Sequence, residues 1–307
     1  MSQLTTARIL RFRVLGKSPA AAFLRMNARL WKRLPLSFVR LQPVRLYGDL
    51  LHALNRAFSD RAQYPATFFL RNRPELELIR RLVDQLPNAA TTKIALFGCS
   101  IGAELYSVVW VVRSARPDLN IVATAVDISA ESLKIAQAGV YALDVSGSPY
   151  GPLFARVTET EMREMFEKNG HSVKIKALAQ QGIVWRLGDA RDPHLIDLLG
   201  PQDIVIANRF LCHMDPPDAE DTLRNLARSV GPDGYLFVSG VDVDVRTRVA
   251  QDLKWQPVAE LMEEIHDGDP SLREGWPCSY WGLEPLDKRR SDWQVRYASV
   301  FRTVTSK

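Results

Sequence analysis

The sequence has few cysteines, no long hydrophobic run and no strong excess of one charge. Three of its 307 residues are cysteines (Cys99, Cys212 and Cys278), and their odd number and spacing argue against a disulfide framework and favour reduced thiols. The Cys and His residues are not spaced as ligand pairs, so no metal site is predicted. No apolar stretch approaches the roughly 18 residues that a membrane-spanning helix needs. Arginines interrupt every short apolar run near the start, so no secretory signal is expected and the expected location is the cytoplasm.

Acidic residues are absent from positions 1–48, which contain ten Lys or Arg residues. The apolar residues on one face of a predicted helix there are Phe23, Met26, Leu30, Trp31 and Leu34. The basic residues on its other face are Arg25, Arg29, Lys32 and Arg33. The favoured interpretation is that the apolar stripe packs on the rest of the protein. A basic helix of this kind can also lie on an anionic membrane surface, at the inner face of a membrane, or bind an acidic partner. Nucleic acid is not an expected partner, because no recognisable module is present.

The hydrophobic pattern divides the chain into a helical start and an alternating remainder. Helices are predicted up to about residue 90, over the apolar stripe, 46–58 and 74–86. Strands and helices then alternate, which predicts an α/β fold with a mostly parallel, doubly wound sheet covered on both faces. The predicted strands are 93–97, 121–126, 183–187, 203–207 and 235–239, and the predicted helices are 103–115, 130–138 and 217–229.

Two stretches interrupt this alternation. Residues 140–182 contain a Gly/Ser/Pro loop, a polar helix near 159–168 and an alternating run, which together predict a small inserted subdomain. Residues 241–307 contain a helix near 257–265, a Trp-rich loop and an alternating run over 293–300, which predicts a terminal antiparallel strand pair. We therefore divide the chain into a basic helical region at 1–90 and a second domain at 91–307 that carries the insertion.

The segment 98–102, Gly-Cys-Ser-Ile-Gly, lies between the first predicted strand and a helix and has two interpretations. It spells G-x-S-x-G, the turn that carries the nucleophile of serine hydrolases. A hydrolase also needs an acid and then a histidine later in the chain, and neither His213 nor His266 stands in a context that selects it. An HGGG-type oxyanion segment is missing as well. The serine hydrolase is therefore the disfavoured interpretation.

The second interpretation of the segment is a nucleotide site at a helix start. Such a site needs an acid at the end of the second strand to accept hydrogen bonds from the ribose, and Asp127 stands there. The G-x-G-x-x-G spacing of dinucleotide sites is not met, which disfavours NAD and FAD. A ligand with a ribose and no phosphate fits better. S-adenosyl-L-methionine is the common ligand of this kind, and Glu104 would attract its sulfonium cation.

An ordered set of motifs resembles the chemotaxis receptor glutamate methyltransferases, the CheR family. The family's C-S-T-G-E-E-P-Y-S motif is similar to residues 99–107, Cys-Ser-Ile-Gly-Ala-Glu-Leu-Tyr-Ser. Its A-T-D-I and A-G-x-Y motifs resemble residues 125–128 and 138–141, and its T-x-F-F-R resembles residues 67–71. Its D-V-I-F-C-R-N-V-L-I-Y-F-D resembles residues 203–215. The resemblance covers about 60–240 and implies a class I, Rossmann-like methyltransferase that uses S-adenosyl-L-methionine.

The resemblance also implies roles for individual residues. The implied cofactor-binding residues are Thr67, Arg71, Gly98, Ser100, Gly102, Glu104, Asp127, Ile128, Asp189, Ala190, Asn208 and Arg209. Thr67 and Arg71 would reach over the cofactor from the helical region, and Asp189 would lie near the adenine. The candidate catalytic residues are Arg71 and His213. His213 suits a general base for a hydroxyl or amine acceptor, or it fills the space of the family's Tyr.

The chain departs from the family on the acceptor side. Ala103 replaces the first Glu of G-E-E, Asn208-Arg209 reverses an R-N pair, and the His of a later G-H-S-E is missing. We therefore predict an S-adenosyl-L-methionine-dependent methyltransferase whose acceptor is a carboxylate or another O or N nucleophile. That nucleophile belongs to an acidic protein or to a small molecule. The alternative is a non-catalytic module that binds S-adenosyl-L-methionine and docks a partner.

Overall fold

The computed structural model describes residues 19–39, 41–58, 65–144, 150–268, 276–277 and 282–303. Every regular element described before residue 91 is a helix. These helices are α1 (Pro19–Trp31), α2 (Leu36–Val39), α3 (Gln42–Phe58) and α4 (Arg73–Asp84). The Asn72 side chain caps α4 by accepting a hydrogen bond from the backbone N–H of Glu75. Pro74 occupies the first turn, where an N–H donor is not needed.

The described strands form two sheets. In chain order they are β1 (Thr91–Phe97), β2 (Asn120–Asp127), β3 (Val140–Ala142), β4 (Phe166–Asn169), β5 (Ser172–Ile175), β6 (Ile183–Leu187), β7 (Gln202–Ile206), β8 (Val230–Phe237), β9 (Gln256–Pro257) and β10 (Val300–Arg302). The larger sheet has the order β6-β2-β1-β7-β8-β10-β9. Its pairs from β6 to β8 are parallel, and β10 is antiparallel to both neighbours. The strand order reverses at β1, which confirms the predicted doubly wound α/β fold.

Helices cover both faces of the larger sheet. They include α5 (Ala103–Ala115), α6 (Ala130–Ala138), α9 (Pro193–Leu199), α10 (Pro216–Ala227) and α11 (Val243–Asp252). Ile94 and Leu96 of β1 belong to a core that contains side chains of α4 and α5. Ala95 and Phe97 belong to a second core, with side chains of α9, α10 and α11. Because successive side chains of a strand point to opposite faces, the sheet is buried on both sides.

The smaller sheet lies within the segment predicted as an insertion. Its order is β3-β5-β4, and both pairs are antiparallel. The segment also contains α7 (Glu159–Met165) and α8 (Ala177–Gln180). Thr158 and Glu161 form a capping box at the start of α7. The helix predicted near 159–168 ends earlier, at Met165, because Phe166 begins the strand that pairs with β5.

The strand predicted over 293–300 is wrong in its first part. Residues Trp293–Tyr297 form α13, and strand structure begins only at Val300. Glu284 accounts for the helix: its Oε2 accepts a hydrogen bond from Arg296 Nη2 at 2.8 Å, and its Oε1 accepts one from the Tyr297 hydroxyl at 2.9 Å. The helix predicted near 257–265 is displaced to α12 (Met262–Asp267), and α11 was not predicted.

Two segments near the C-terminus, which contain Trp276 and Asp287, pack against helices α1 and α3. The rings of Trp31 and Trp276 meet edge to face at 5.3 Å between centroids. A Cβ on Gly48 of α3 would lie 2.5 Å from the Trp276 ring, so the two elements approach closely. Arg45 Nη1 forms an ion pair with Asp287 Oδ2 at 2.8 Å.

The packing interpretation of the N-terminal stripe is wrong. Of the five stripe residues only Trp31 packs inward, because α1 turns Leu24 and Asn27 towards the protein instead. The other four are exposed: Phe23, Met26, Leu30 and Leu34. Residues 1–18, and residues 275 and 278–281 of the Trp-rich loop, lie outside the described residues. Within the described part of the chain, no helix is both long enough and apolar enough to cross a membrane.

Candidate functional site

A cavity of about 740 Å³ lies at the carboxyl ends of β1, β2, β6 and β7. This is the edge where ligands bind in doubly wound folds, and the volume is within the roughly 300–1,000 Å³ of small-molecule sites. The predicted site residues that line it are Thr67, Arg71, Gly98, Ser100, Glu104, Asp127, Ile128, Asp189, Ala190, Asn208, Arg209 and His213. Gly102 is not among the lining residues. It precedes α5 with φ 85° and packs under the Trp185 ring.

The turn after β1 brings bare backbone to the cavity. The N–H groups of Gly98 and Cys99 both donate to the Val126 carbonyl, at 2.8 and 3.1 Å, which ties the turn to β2. Gly98 has φ +69°, and a Cβ there would lie 2.9 Å from the Phe210 ring. Only glycine therefore suits this position.

Asp127 joins the ends of β1 and β2. Its Oδ2 accepts a hydrogen bond from the Ser100 N–H at 2.7 Å, and its Oδ1 accepts one from the Ser129 N–H at 2.8 Å. A carboxylate oxygen accepts more than one hydrogen bond, so both oxygens keep capacity for ligand hydroxyls. Asp127 therefore both shapes the turn and offers acceptors to the cavity.

The Ser100 hydroxyl donates to the Pro65 carbonyl at 2.9 Å. A nucleophilic serine instead needs a base to accept this proton. The contact argues against the hydrolase interpretation and joins the turn to the segment that precedes α4.

Asn208 connects two carboxylates at the inner end of the cavity. Its Nδ2 donates to Glu75 Oε1 at 2.8 Å and to Glu104 Oε1 at 2.7 Å. Its Oδ1 accepts hydrogen bonds from the backbone and hydroxyl of Ser239. Because every polar atom of this buried amide is used, Asn208 fixes both carboxylates relative to the sheet.

Glu75 is buried within this cluster. Burial is the main reason why the pKa of Glu75 is raised, to about 8, and the nearby Glu104 carboxylate raises it further. Arg209, the Asn208 hydrogen bond and Arg71 act in the opposite direction. At neutral pH these effects favour the protonated form of Glu75.

Arg71 reaches the cavity from the segment before α4. Its Nη2 donates to the Ala66 carbonyl at 3.1 Å, and its guanidinium carbon lies 4.2 Å from the centre of the Phe68 ring. Ser107 on α5 holds the same segment, because its hydroxyl accepts from the Leu70 N–H at 2.9 Å and donates to the Ala103 carbonyl.

We expect Ser107→Ala to lower the free energy of unfolding by about 1–3 kcal/mol, because it leaves the buried Leu70 N–H without an acceptor. Urea unfolding measures this change. Ser172→Ala is the matched control, since that hydroxyl only donates to the Asn169 carbonyl in an exposed turn. A Ser107→Ala protein as stable as the control would contradict the anchoring role.

The other predicted residues lie around the rim. Asp189 forms an ion pair with Arg191 at 2.6 Å, which lowers the pKa of Asp189. Asn225 donates to the Ala190 carbonyl, and the Ile128 side chain is half exposed. His213 ends a 3₁₀ turn, Leu211–His213, that follows β7.

Glu75 was not predicted as a site residue, because its sequence context indicates a helix cap. Asn72 and Glu75 have the spacing of a helix cap, and a glutamate there ordinarily stays at the helix surface. Further lining residues that were not predicted include Tyr150, Phe210 and Met214. Tyr150 precedes Gly151 in the insertion, and its carbonyl accepts from the Thr67 N–H. No motif indicates that contact.

The family model "CheR methyltransferase, SAM binding domain" matches residues 66–251, which include β1 to β8 and the cavity. The chain belongs to the CheR methyltransferase family. The family prediction and the prediction of S-adenosyl-L-methionine as cofactor are confirmed by this match.

Curated CheR relatives are similar over part of their length. Probable biofilm formation methyltransferase WspC of Pseudomonas aeruginosa is 25% identical over 187 residues, which are 59% of this chain and 42% of that protein. Chemotaxis protein methyltransferase 1 of Vibrio cholerae is 29% identical over 165 residues, 51% of this chain and 56% of that protein. The chain thus spans about half the length of these relatives. A solved magnesium protoporphyrin IX methyltransferase from Synechocystis PCC 6803 is 16% identical over 71% of this chain and 88% of that chain, with a TM-score of 0.36.

Proposed function

We propose that the chain transfers a methyl group from S-adenosyl-L-methionine to a carboxylate of an acidic protein. The observation that carries the proposal is the meeting of Asp127, Glu104 and the Ser100 turn in one cavity at the switch point of the sheet. Membership of the CheR family and the names of the relatives support a protein acceptor.

The residues of the cavity fit this cofactor. Asp127 would accept hydrogen bonds from the ribose hydroxyls, and Glu104 would attract the cationic end. Gly98 and Ser100 would pack their backbone against the ligand, and Asp189 and Ala190 would flank the adenine. When bound, the cofactor supplies an electrophilic methyl group, and the protein contributes mainly by positioning the acceptor and excluding water.

The cavity is lined by both carboxylates and guanidinium groups, and a carboxylate acceptor would bind to the guanidinium groups. Three arginines line it: Arg71, Arg191 and Arg209. Arg191 forms an ion pair with Asp189, and Arg71 donates to the Ala66 carbonyl. A guanidinium binds a carboxylate well, and a carboxylate is already a nucleophile that needs no general base. We propose that Arg71, which reaches over the cavity from the helical side, orients the acceptor.

We place this reaction in the cytoplasm. The basic segment 1–48 would bring the enzyme to its acceptor through an acidic partner or through an anionic membrane surface at its inner face. The division into a basic helical region at 1–90 and a methyltransferase domain at 91–307 remains part of this proposal.

The test is incubation of the protein with tritiated methyl donor and fractionated cell extract. We expect label in the protein fraction with the wild type, and none with a variant that does not bind the cofactor. Label only in small molecules would contradict a protein acceptor. Cofactor binding without any transfer would favour the non-catalytic docking module.

The His213→Phe variant separates the two roles considered for this histidine. With a carboxylate acceptor we expect methyl transfer to stay within about tenfold of the wild type, since no base is needed. Loss of transfer by about 100-fold or more, with unchanged binding of S-adenosylhomocysteine, would instead identify His213 as a general base and the acceptor as a hydroxyl or amine.

A further inference from the structure

Nine large apolar side chains on and between α1, α2 and α3 are exposed, each by 37% to 63%. They are Phe23, Met26, Leu30, Leu34, Phe38, Leu41, Leu46, Tyr47 and Leu50, and we call them the apolar surface. The rest of the described chain has only eight exposed large apolar side chains, scattered from residue 122 to residue 253. Single exposed apolar residues are ordinary, but a concentration like this marks an interaction site.

The apolar surface follows the geometry of the helices. Phe23, Met26 and Leu30 recur at helical spacing on α1, and Leu46 and Leu50 are one turn apart on α3. The two helices are in contact, because the Tyr47 hydroxyl donates to Asn27 Oδ1 at 2.6 Å. The exposed apolar residues of both helices therefore lie on adjoining parts of one surface.

The opposite side of these helices is already occupied. Leu51 of α3 is fully buried, Trp31 meets Trp276, and Arg45 pairs with Asp287. Arg56 also reaches the body of the protein, through an ion pair with Asp244 at 3.2 Å. The apolar surface is thus the outward face of helices that are anchored elsewhere.

Four basic residues on or just after α1 lie next to the apolar surface in sequence. Arg25, Arg29, Lys32 and Arg33 are exposed, and none of them makes an ion pair within the residues that the structure describes. Asp49 is the sole acidic residue among the first 58 positions of the sequence. Arg25 and Arg29 each directly precede an exposed apolar residue, so charge and apolar area alternate on the outer side of α1.

We propose that the apolar surface, with Arg25, Arg29, Lys32 and Arg33, binds the surface of an anionic lipid bilayer. Apolar side chains would enter the boundary between headgroups and acyl chains, while the basic side chains contact lipid phosphates. The inference concerns a surface outside the cofactor cavity and does not depend on methyl transfer.

Charge and shape favour a bilayer over other occupants. A second copy of the chain would bring two basic surfaces together, which repel each other. A partner helix would dock in a groove, yet no residue of the apolar surface lines the 740 Å³ cavity or either of two smaller cavities, one beside Glu75 and one beside His52. Long Leu and Met side chains with flanking Arg and Lys are typical of helices that lie in a membrane interface.

The test is sedimentation of the full chain with vesicles of phosphatidylcholine, or of an equal mixture of phosphatidylcholine and phosphatidylserine. We expect binding only to the anionic vesicles, weakening as salt is raised. The double variant Leu30→Glu/Leu46→Glu should reduce binding by more than about tenfold. Arg25→Gln/Arg29→Gln should reduce it by about tenfold or more, since each basic residue near the lipid contributes to binding.

The matched control is Leu178→Glu/Leu198→Glu, which alters two similarly exposed leucines on α8 and α9, outside the apolar surface, and should bind like the wild type. Every variant must bind S-adenosylhomocysteine as the wild type does, which separates loss of docking from loss of fold or of the cofactor site. No binding to either vesicle would overturn the proposal, as would equal binding by the Leu30→Glu/Leu46→Glu variant. Binding to polyglutamate but not to vesicles would assign the surface to an acidic protein. A dimer that dissociates on Leu30→Glu would assign it to self-association.

Discussion

Replacing Asp127 by alanine is expected to weaken cofactor binding strongly. The two carboxylate oxygens accept hydrogen bonds from the Ser100 and Ser129 N–H groups, respectively, and Asp127 lines a cavity whose ligand carries a pair of ribose hydroxyls. A hydrogen bond to a charged group contributes about 1.5–3 kcal/mol. Loss of the carboxylate should therefore weaken the binding of S-adenosylhomocysteine by roughly 100-fold or more in calorimetric titration.

Two further variants make this result interpretable. Asp192→Ala removes a carboxylate that accepts only from the His194 N–H at the start of α9, so it should cost about 1 kcal/mol of stability and leave binding unchanged. Asp127→Asn keeps the size of the side chain and should bind with intermediate affinity. Wild-type affinity in Asp127→Ala would show that the ligand does not contact this carboxylate.

Replacing Glu75 by glutamine is expected to remove a pH dependence of stability. The pKa of Glu75 is about 8 in the folded protein, against an ordinary value of 4.5. Between these two values the folded state binds a proton on Glu75 that the unfolded state does not, so the contribution of Glu75 to stability is greatest at low pH and falls as pH rises towards 8. The wild type should lose roughly 4 kcal/mol of unfolding free energy between pH 5 and pH 9 that Glu75→Gln does not lose.

The control for this prediction is Glu77 on the same helix. Hydrogen bonds from Arg80 and Arg81 lower the pKa of Glu77 to about 2, so it is ionised throughout the range tested. Urea unfolding of Glu77→Gln should show the same pH dependence as the wild type. If Glu75→Gln behaves like Glu77→Gln, the buried glutamate does not change its protonation in this range.

The sheet could be predicted from sequence because its central strands β1 and β7 are largely buried, and because the half-exposed edge strand β6 is also a short apolar run. β1, β2, β6 and β7 are short apolar runs bounded by turn residues, and the site residues follow directly at their carboxyl ends. The positions of Asp127 and Asn208 therefore follow from the strands. Gly102 belongs to the same motif, but it packs against Trp185 and does not line the cavity.

The parts that sequence could not predict depend on distant partners. Glu75 has the local pattern of a helix cap. Its place beside the cavity depends on a hydrogen bond from Asn208, which follows β7 and is distant in sequence. Trp293–Tyr297 alternates like a strand, and Glu284 stabilises it as a helix. A five-residue run does not distinguish the two periods. On α1, the contacts of Trp31 with Trp276 and of Asn27 with Tyr47 come from distant parts of the chain, and the other four residues of the predicted stripe are exposed.

Alkaline treatment of the labelled acceptor tests the central claim most directly. A carboxyl methyl ester hydrolyses in base and releases methanol, whereas methyl groups on amines or on ether oxygens remain attached. After transfer from tritiated S-adenosyl-L-methionine to extract proteins, we predict that alkali converts the protein-bound label to volatile methanol. Label that stays on the protein after this treatment would contradict methyl transfer to a carboxylate.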